Sequence, residues 1–294
     1  MTRTPRQPYT LTLPHGRTLA LGERTLVMGI LNVTPDSFSD GGQYADPAAA
    51  VGAALAMVEA GADLIDIGGE STRPGAVQVD AAGELARVIP VVTALARQVT
   101  VPLSVDTTKA VVARAAVEAG ASVVNDISGL RHDPTLAQVA AETGAGLVLM
   151  HMRGAPADMY RHAEYGNVVA EVAGELAWSI DTALAAGVPR TGLVIDPGIG
   201  FAKQAAQSWE AVAQLDHPAL RGLDLPLLVG ASRKSFLQAA IGQRAAADRD
   251  PASLAVATVA ALTGAHIVRV HDVAASVQAV RVADMISAAA RRQA

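Results

Sequence analysis

The sequence predicts an α/β fold, a single (β/α)8 barrel of the TIM type. Apolar residues make up 51% of the 294-residue chain, yet only 3% are aromatic. Ala, Val, Leu and Ile are the residues that fill parallel sheets and the helices covering them. Short β-branched runs alternate with helical segments eight times, and no change of composition divides the chain. Eight alternating units favour a closed barrel over a doubly wound sheet.

Five of the predicted helix-to-strand junctions share one pattern, a glycine followed by a small residue. Glycine suits the left-handed conformation that ends a helix, so each pair predicts a helix, its C-cap and then a strand. The pairs are Gly61-Ala62, Gly120-Ala121, Gly144-Ala145, Gly187-Val188 and Gly264-Ala265. Residues 25–31, 102–106 and 226–230 add three further strands, which completes the set of eight.

The chain is predicted to have two parts, an N-terminal extension over residues 1–24 and the barrel over residues 25–294. Residues 9–13 and 18–21 alternate in polarity around His15-Gly16, a pattern typical of a short β-hairpin. We expect this hairpin to cap the floor of the barrel.

Charge and composition exclude several classes of function. A net charge of -5 gives no basic footprint for nucleic acid or an anionic membrane. The absence of cysteine excludes disulfides, thiolate zinc sites and a cysteine nucleophile. The uncharged stretch 252–268 is interpreted as a buried helix that leads into a buried strand, not as a membrane span. We therefore expect a cytoplasmic protein with small-molecule substrates.

Every predicted barrel strand ends in polar residues. They are Asn32, Asp66, Asp106, Asn125 with Asp126, His151, Asp196, Ser232 with Lys234, and Arg269 with His271. In a barrel of this type the βα loops at the carboxyl ends of the strands build the active site. Any single Asp or Asn at such a position could instead be a helix N-cap or a turn former. Eight polar ends together predict a site rich in carboxylate, amide and cationic groups.

Eight segments resemble one known family, in that family's order. They are MGILNVTPDSFSDGG (28–42), DIGGESTRPGA (66–76), SVDTTKA (104–110), VNDISG (124–129), LMHMRG (149–154), VIDPGIGFAK (194–203), VGASRKSF (229–236) and VRVHDV (268–273). Together they resemble the dihydropteroate synthases, which are pterin-binding enzymes. The first two segments are long and specific, whereas VNDISG or LMHMRG alone would be weak signals. Thr108, Ile199 and Ala231 depart from the residues common in the family, but none of them removes a polar group.

The resemblance implies a transferase of folate biosynthesis that is a sulfonamide target. It would condense 6-hydroxymethyl-7,8-dihydropterin pyrophosphate with p-aminobenzoate to give 7,8-dihydropteroate and pyrophosphate. Substitution would occur at the pterin methylene without a covalent enzyme intermediate. The family also implies Mg2+ as cofactor and a homodimer formed through barrel helices.

The resemblance places the pterin among strand-end residues of the barrel. A flat ring with adjacent N–H donors needs in-plane carboxylates and amides in a slot. By resemblance Asp196 accepts from the exocyclic amine and the neighbouring ring N–H, and Lys234 lies against the ring. The implied pterin-binding set is Asp106, Asn125, Met150, Asp196, Gly230 and Lys234. The implied catalytic residues are Asp106, Lys234, Arg269 and His271.

The diphosphate leaving group needs cations and backbone donors near the reacting carbon. By resemblance Arg269 and His271 hold it; they alternate on the last strand and should face the same way. The resemblance adds Thr72 and Arg73 to this set and makes Asn32 a magnesium ligand. A single amide ligand is plausible because Mg2+ keeps several of its waters.

Two loops, residues 32–46 and 68–80, are long and rich in Gly, Pro, Ser and Thr. Such loops usually form lids or binding segments, and we expect both to fold over the substrates. The p-aminobenzoate set implied by the resemblance is Phe38, Thr72, Arg73, Pro74, Phe201, Lys234 and Ser235. Ser235 is expected to open a helix whose N–H groups meet the benzoate carboxylate.

Two other functions remain open at this point. A pterin-binding methyltransferase domain shares the barrel and the carboxylates but works with a corrinoid partner. It should lack the GASRKSF and DSFSDGG segments, which are intact here. A catalytically silent paralogue that binds a pterin would be separated from an enzyme only by an assay.

Overall fold

Ten strands are present in the part of the chain that this computed structural model describes, residues 5–34, 46–71 and 79–291. The strands are β1 (Tyr9–Thr12), β2 (Thr18–Leu21), β3 (Leu26–Asn32), β4 (Leu64–Gly68), β5 (Leu103–Asp106), β6 (Val123–Asp126), β7 (Gly146–Met150), β8 (Leu193–Asp196), β9 (Leu228–Val229) and β10 (Ile267–Val270). The strands β3 to β10 lie where the eight barrel strands were predicted.

These eight strands form one parallel sheet that closes on itself. Their order is β8-β7-β6-β5-β4-β3-β10-β9. The two ends of the sheet meet through a parallel bridge between Ile195 and Leu227. The backbone N–H of Ile195 also donates to the carbonyl of Pro226 at 2.9 Å. The predicted closed (β/α)8 barrel is confirmed.

Helices cover the outside of the barrel. They are α1 (Pro47–Glu59), α2 (Ala81–Leu95), α3 (Ala110–Glu118), α4 (Thr135–Thr143), α5 (Val168–Ala185), α6 (Ala205–Ala213), α7 (Pro218–Arg221), α8 (Gln238–Ile241), α9 (Asp250–Leu262) and α10 (Val273–Arg291). Polar side chains begin several of them: Asp46 accepts from the N–H of Ala48, and Asp80 from that of Gly83. The main core of Ala, Val, Leu and Ile lies between strands and helices.

The glycines at the predicted junctions all adopt positive φ angles. The values are 99° at Gly61, 118° at Gly120, 69° at Gly144, 97° at Gly187 and 98° at Gly264. At Gly120 space is limiting as well, because a Cβ there would lie 2.5 Å from the Cβ of Ala96. The helix-to-strand pattern read from the sequence is therefore confirmed, with a physical need for glycine.

The N-terminal hairpin closes the amino end of the barrel. Strands β1 and β2 pair antiparallel, with Thr12 opposite Thr18. Their leucines join the inward-facing residues of the barrel strands in one buried cluster, which we call the apolar floor. It comprises Leu11, Leu13, Leu21, Leu26, Met28, Leu64, Val123, Val148, Val194, Leu228 and Ile267. The predicted cap is confirmed, whereas the division of the chain at residue 24 stays a prediction.

The two apolar segments near the C-terminus have different positions. Residues 252–268 form most of α9 and the start of β10, as predicted. By length and composition alone, residues 273–290 of α10 could cross a membrane, with a mean hydropathy of 1.3. This helix packs against α9 and β3 as part of the barrel wall. Barrel helices pass the same test, so the finding is weak evidence for a membrane span.

Candidate active site

Arg269 connects three barrel strands at the carboxyl end, its own and two that carry carboxylates. From β10 its Nε donates to Oδ2 of Asp66 on β4 at 2.6 Å. Its Nη2 donates to Oδ2 of Asp106 on β5, also at 2.6 Å. The guanidinium fork thereby spans the interior above the apolar floor and fixes two acidic side chains at once.

Asp66 also fixes the orientation of Asn125. The Asn125 Nδ2 donates to Asp66 Oδ2 at 2.9 Å. An ionised carboxylate can only accept, so the amide nitrogen of Asn125 must face Asp66 and its carbonyl oxygen must face elsewhere. Oδ1 of Asp66 and the hydroxyl of Ser104 are buried without a hydrogen-bond partner among the described residues. These two residues are register partners on adjacent strands, which marks the spot as polar and incompletely satisfied.

Burial and charge shift the pKa values of these groups. Burial raises the pKa of Asp106 to about 7, although Arg269 lowers it; the nearby Asp66 adds to the rise. Burial likewise raises the pKa of Asp196, opposed by Lys234. For Arg269 burial favours the neutral form, but Asp66 and Asp106 outweigh it and raise its pKa. A guanidinium held between carboxylates stays charged.

Lys234 interacts electrostatically with Asp196. Its Nζ donates to the carbonyl of Ile199 at 2.6 Å and lies 3.8 Å from the ring centroid of Phe201. Burial lowers the pKa of Lys234 to about 7, and the Asp196 carboxylate opposes that shift. Asp196 Oδ1 accepts from the N–H of Gly198 at 2.7 Å. A Cβ on Gly230 would lie 3.6 Å from Asp196 Oδ2, so glycine leaves this oxygen approachable.

An apolar wall accompanies the charged groups. It consists of Ile127, Met150, Met152, Met159, Phe201 and Ala202, with Tyr160 packed against it. Polar acceptors along one edge and apolar side chains along a face are what a flat heteroaromatic ligand requires. The structure thus brings together all six residues of the predicted pterin set: Asp106, Asn125, Met150, Asp196, Gly230 and Lys234.

The remaining predicted residues divide into those at the rim and those outside the described ranges. Asn32 ends β3, is partly exposed and is the register partner of Gly68. Nδ1 of His271 lies 2.9 Å from the Ser232 hydroxyl, just after β10. Ser235 begins a three-residue 3-10 helix, not an α-helix, and its Oγ lies 3.4 Å from the Tyr160 hydroxyl. Phe38, Thr72, Arg73 and Pro74 lie outside the described residues, and so do most of the two long loops.

Two polar strand ends serve other purposes. The Asp126 carboxylate accepts from the N–H groups of Ser128 and Leu130 and so shapes the turn after β6. For Asp126 the turn-forming alternative is the one that the structure shows. His151 contacts Lys203 and Glu175 instead of the residues around Arg269. The expectation that all eight ends face one site is wrong for these two, because neighbouring residues of a strand point to opposite faces.

Two residues without a predicted role stand out in the structure, Asp66 and Lys203. Asp66 was noted only as a polar strand end, although it contacts both Arg269 and Asn125. Lys203 was not singled out at all. A usable signal existed, because the chain has only three lysines and each lies in one of the motif segments. They are Lys109, Lys203 and Lys234.

Comparison with known proteins gives one consistent result. The family model described as "Pterin binding enzyme" matches residues 28–271. The dihydropteroate synthase of Synechocystis sp. is 47% identical over 275 residues, covering 93% of this chain and 94% of the relative. That of Mycobacterium leprae is 50% identical over 262 residues, covering 87% and 91%. The solved Xanthomonas albilineans dihydropteroate synthase with 4-aminobenzoic acid has a TM-score of 0.87 and 45% identity, covering 95% of this chain and 99% of that one. The chain belongs to the pterin-binding enzyme family, and within it to the dihydropteroate synthases.

Proposed function

We propose that this chain joins 6-hydroxymethyl-7,8-dihydropterin pyrophosphate to p-aminobenzoate at the carboxyl end of its barrel. The products would be 7,8-dihydropteroate and pyrophosphate. The observation that carries the proposal is the buried ring of carboxylates and one amide around Arg269 and Lys234, set beside an apolar wall. The relative solved with 4-aminobenzoic acid supports the second substrate.

The pterin is proposed to bind along the acceptor edge of this ring. The Asp196 carboxylate accepts from the exocyclic amine and the ring N–H: Gly230 leaves room at Oδ2, and Oδ1 keeps a lone pair besides the one that the Gly198 N–H uses. The carbonyl oxygen of Asn125 is a second acceptor, because Asp66 holds the amide nitrogen on the other side. Lys234 supplies a donor to the ring from the opposite side of the slot. The ring body then packs against Met150.

The diphosphate is proposed to bind near Arg269, His271 and Asn32. Three of the five guanidinium N–H donors of Arg269 remain after Asp66 and Asp106 take two. These donors and the His271 side chain would stabilise negative charge as the leaving group departs. Thr72 and Arg73 remain predicted members of the same set.

Magnesium is proposed as an ion that accompanies the diphosphate. The described ranges contain no group of three or more His, Cys, Asp or Glu side chains that could hold a metal. Two acidic side chains of the site, Asp66 and Asp106, face Arg269 instead. The partly exposed amide of Asn32 therefore fits only an ion that takes its other ligands from water and phosphate. When bound, Mg2+ would neutralise charge on the leaving group.

The protein's part in the chemistry is proposed to be positioning. The arylamine nitrogen forms a bond to the pterin methylene carbon as the bond to the diphosphate oxygen breaks, and the aniline nitrogen loses a proton. An arylamine is already a nucleophile near neutral pH, so no enzyme nucleophile is needed. Phe201, Lys234 and Ser235 would hold the benzoate next to the pterin.

The proposed function is tested by incubating the chain with the pterin pyrophosphate, p-aminobenzoate and Mg2+. We expect dihydropteroate and pyrophosphate in equal amounts, with turnover suppressed by EDTA and restored by Mg2+. A silent paralogue would bind the pterin in calorimetry but form no product. A methyltransferase domain would bind a methylated pterin and ignore the arylamine.

A homodimer and a cytoplasmic location are proposed with the same function. On α10 the side chains of Val282 and Met285 are 58% and 65% exposed, three residues apart on one helix. Exposed apolar side chains in such an arrangement suit contact with a second copy. Light scattering of the native chain and of Met285→Glu should show a dimer that the substitution weakens. Fractionation of cells that express the chain would test the location.

A further inference from the structure

Lys203 is a buried lysine for which the proposed reaction has no use. Its side chain is 1% exposed. Nζ contacts His151 Nδ1 at 2.9 Å and donates to the carbonyl oxygens of Gly198 and Phe201, each at 3.1 Å. These three acceptors can take all three N–H donors of an ammonium group or both donors of a neutral amine. A buried amine surrounded by acceptors is held in a defined position, because burial of a polar group without partners is costly.

His151 connects this lysine to the outside of the barrel. Because Nδ1 faces a lysine donor, the ring proton must lie on Nε2, which donates to Glu175 Oε2 at 3.1 Å. Burial and the Lys203 charge lower the pKa of His151 to about 4, so the ring is neutral at ordinary pH. Glu175 is in turn held by Arg153 Nε at 2.8 Å and borders an open cavity of about 450 Å3. These contacts form a chain of hydrogen bonds from Glu175 through His151 to Lys203, which we call the relay.

The two carbonyls that accept from Lys203 lie at the two ends of the segment 198–201. The backbone here turns through left-handed conformations, with φ angles of 66° at Gly198 and 78° at Gly200, which glycine adopts freely, and 47° at the following Ala202, where the angle is unfavourable. Between the two carbonyls lies Ile199, whose own carbonyl accepts from Lys234. Just before them, the N–H of Gly198 donates to Asp196. Lys203 therefore bridges the backbone segment that hydrogen-bonds to Asp196 and Lys234, two residues proposed to contact the pterin.

We propose that Lys203 is a positioning residue, held by His151 and Glu175, that fixes the segment 198–201 so that Asp196, Phe201 and Lys234 face the substrates. The kinetic consequence of this role rests on the proposed function. The effect on the segment itself does not, because it concerns contacts within the chain alone.

A matched pair of variants at His151 isolates the acceptor that holds Lys203. Asn and Leu have nearly the same size, but only His151→Asn keeps an oxygen where Nδ1 accepts. We expect His151→Leu to raise the KM for p-aminobenzoate at least tenfold and to lower kcat. His151→Asn should stay within about threefold of the native chain, which a purely volume-filling role for His151 would not predict.

The three lysines provide a readout that needs no substrate. With lysine labelled by 13C at Cε, NMR gives three side-chain resonances that can be assigned by replacing each lysine in turn. We expect the Lys234 resonance and its titration midpoint to move in His151→Leu and to stay in place in His151→Asn. Lys109, which contacts Glu70 and Glu84 in a separate cluster, should be unchanged in both and serves as the internal control.

The possible outcomes distinguish the proposed function from the positioning role of Lys203. If the native chain forms no dihydropteroate, the proposed function fails, and the Lys234 resonance still decides about the segment. If that resonance is the same in the leucine and asparagine variants, Lys203 does not set the segment. If it moves while kcat and KM stay native, the role in the reaction is wrong. Should His151→Leu not fold, Glu175→Leu at the partly exposed end must move the same resonance by a smaller amount, and an unmoved resonance overturns the inference.

Discussion

The two ends of the barrel interior use the same strands for opposite purposes. At the amino end, eleven apolar side chains form the floor, and the hairpin leucines seal it from water. At the carboxyl end, Asp66, Asp106, Asn125 and Arg269 occupy the interior instead. Apolar burial stabilises a fold by about 25 cal/mol per Å2, whereas buried charges must first be desolvated. The apolar amino end therefore stabilises this barrel, whereas the carboxyl end has charged and polar groups in place of apolar packing, at the site proposed for the ligands.

Arg269→Met is expected to have the largest effect, because it removes the shared partner of two buried carboxylates. Breaking a buried ion pair from one side typically costs about 3–5 kcal/mol of unfolding free energy. Turnover should also fall by about 100-fold or more, since the cation proposed for the leaving group is lost. Urea denaturation and pyrophosphate release measure the two losses.

The exposed pair Arg114–Glu142 is the control for this change. Both side chains are more than 40% exposed, so Arg114→Met should change stability far less than Arg269→Met and leave turnover unchanged. Adding Asp66→Asn to Arg269→Met should recover part of the stability but none of the activity. Equal stability losses at Arg114 and Arg269 would contradict the contrast between the barrel end and the surface.

Leu11→Ala tests the other end of the barrel. Leu11 is 1% exposed in the floor, and its Cδ2 lies near Gly146. Truncation of a buried leucine costs about 2–5 kcal/mol through lost burial and the remaining cavity. Below the unfolding transition kcat and KM should be native, because the floor touches no proposed ligand. Leu184→Ala, at a leucine that is 36% exposed, should change stability by much less. A change in KM for either substrate would show that the two ends are coupled.

Asp196→Asn should have a smaller effect that falls on ligand binding alone. The amide would turn a donor toward the pterin N–H groups, which costs about 1–3 kcal/mol of binding free energy. Calorimetry with the pterin measures it, and the exposed Asp181→Asn is the control. Native affinity in Asp196→Asn would remove this carboxylate from the pterin site.

The sequence predicted the barrel strands more completely than the site. Glycine junctions and β-branched runs located all eight strands, because each is a local signal with a local cause. Asp106, Asn125 and Asp196 were located by the rule that barrel strands end at the site. The relay from Glu175 to Lys203 was not predicted, because its contacting residues are 24 and 52 positions apart in the sequence. Contacts at such separations depend on which way each strand residue faces.

Orientation also distinguishes neighbouring residues that the strand-end pattern alone treats alike. Asn125 and Asp126 are adjacent polar residues at one strand end, and the sequence treats them alike. In the structure Asn125 faces Asp66, while Asp126 accepts from the turn that follows. In a strand, a step of one residue moves the side chain to the opposite face. The role of each residue therefore depends on the exact register, which local sequence patterns do not fix to within one residue.

A further expected contrast is a difference in pKa among the three lysines. Burial lowers the pKa of Lys203 and of Lys234 to about 7, from an ordinary 10.5. For Lys109 burial acts in the same direction, but Glu70 and Glu84 outweigh it and raise the pKa. Titration of 13Cε-lysine resonances should therefore give two midpoints near neutral pH and one above the ordinary value.

The sign of the effect on stability follows from those midpoints. Between about pH 7 and 10.5 the folded chain has released the protons of Lys203 and Lys234, while the unfolded chain still binds them. Stability rises with pH wherever the unfolded state binds more protons, so these two lysines should stabilise the fold progressively across that range. The Lys203→Met and Lys234→Met variants should each flatten this rise in denaturation midpoints measured from pH 7 to 10. Leu11→Ala, at the other end of the barrel, should lower every midpoint equally and leave the slope unchanged. Three lysine midpoints above 10, or equal slopes in all variants, would mean that the carboxyl end of the barrel is as well solvated as the surface.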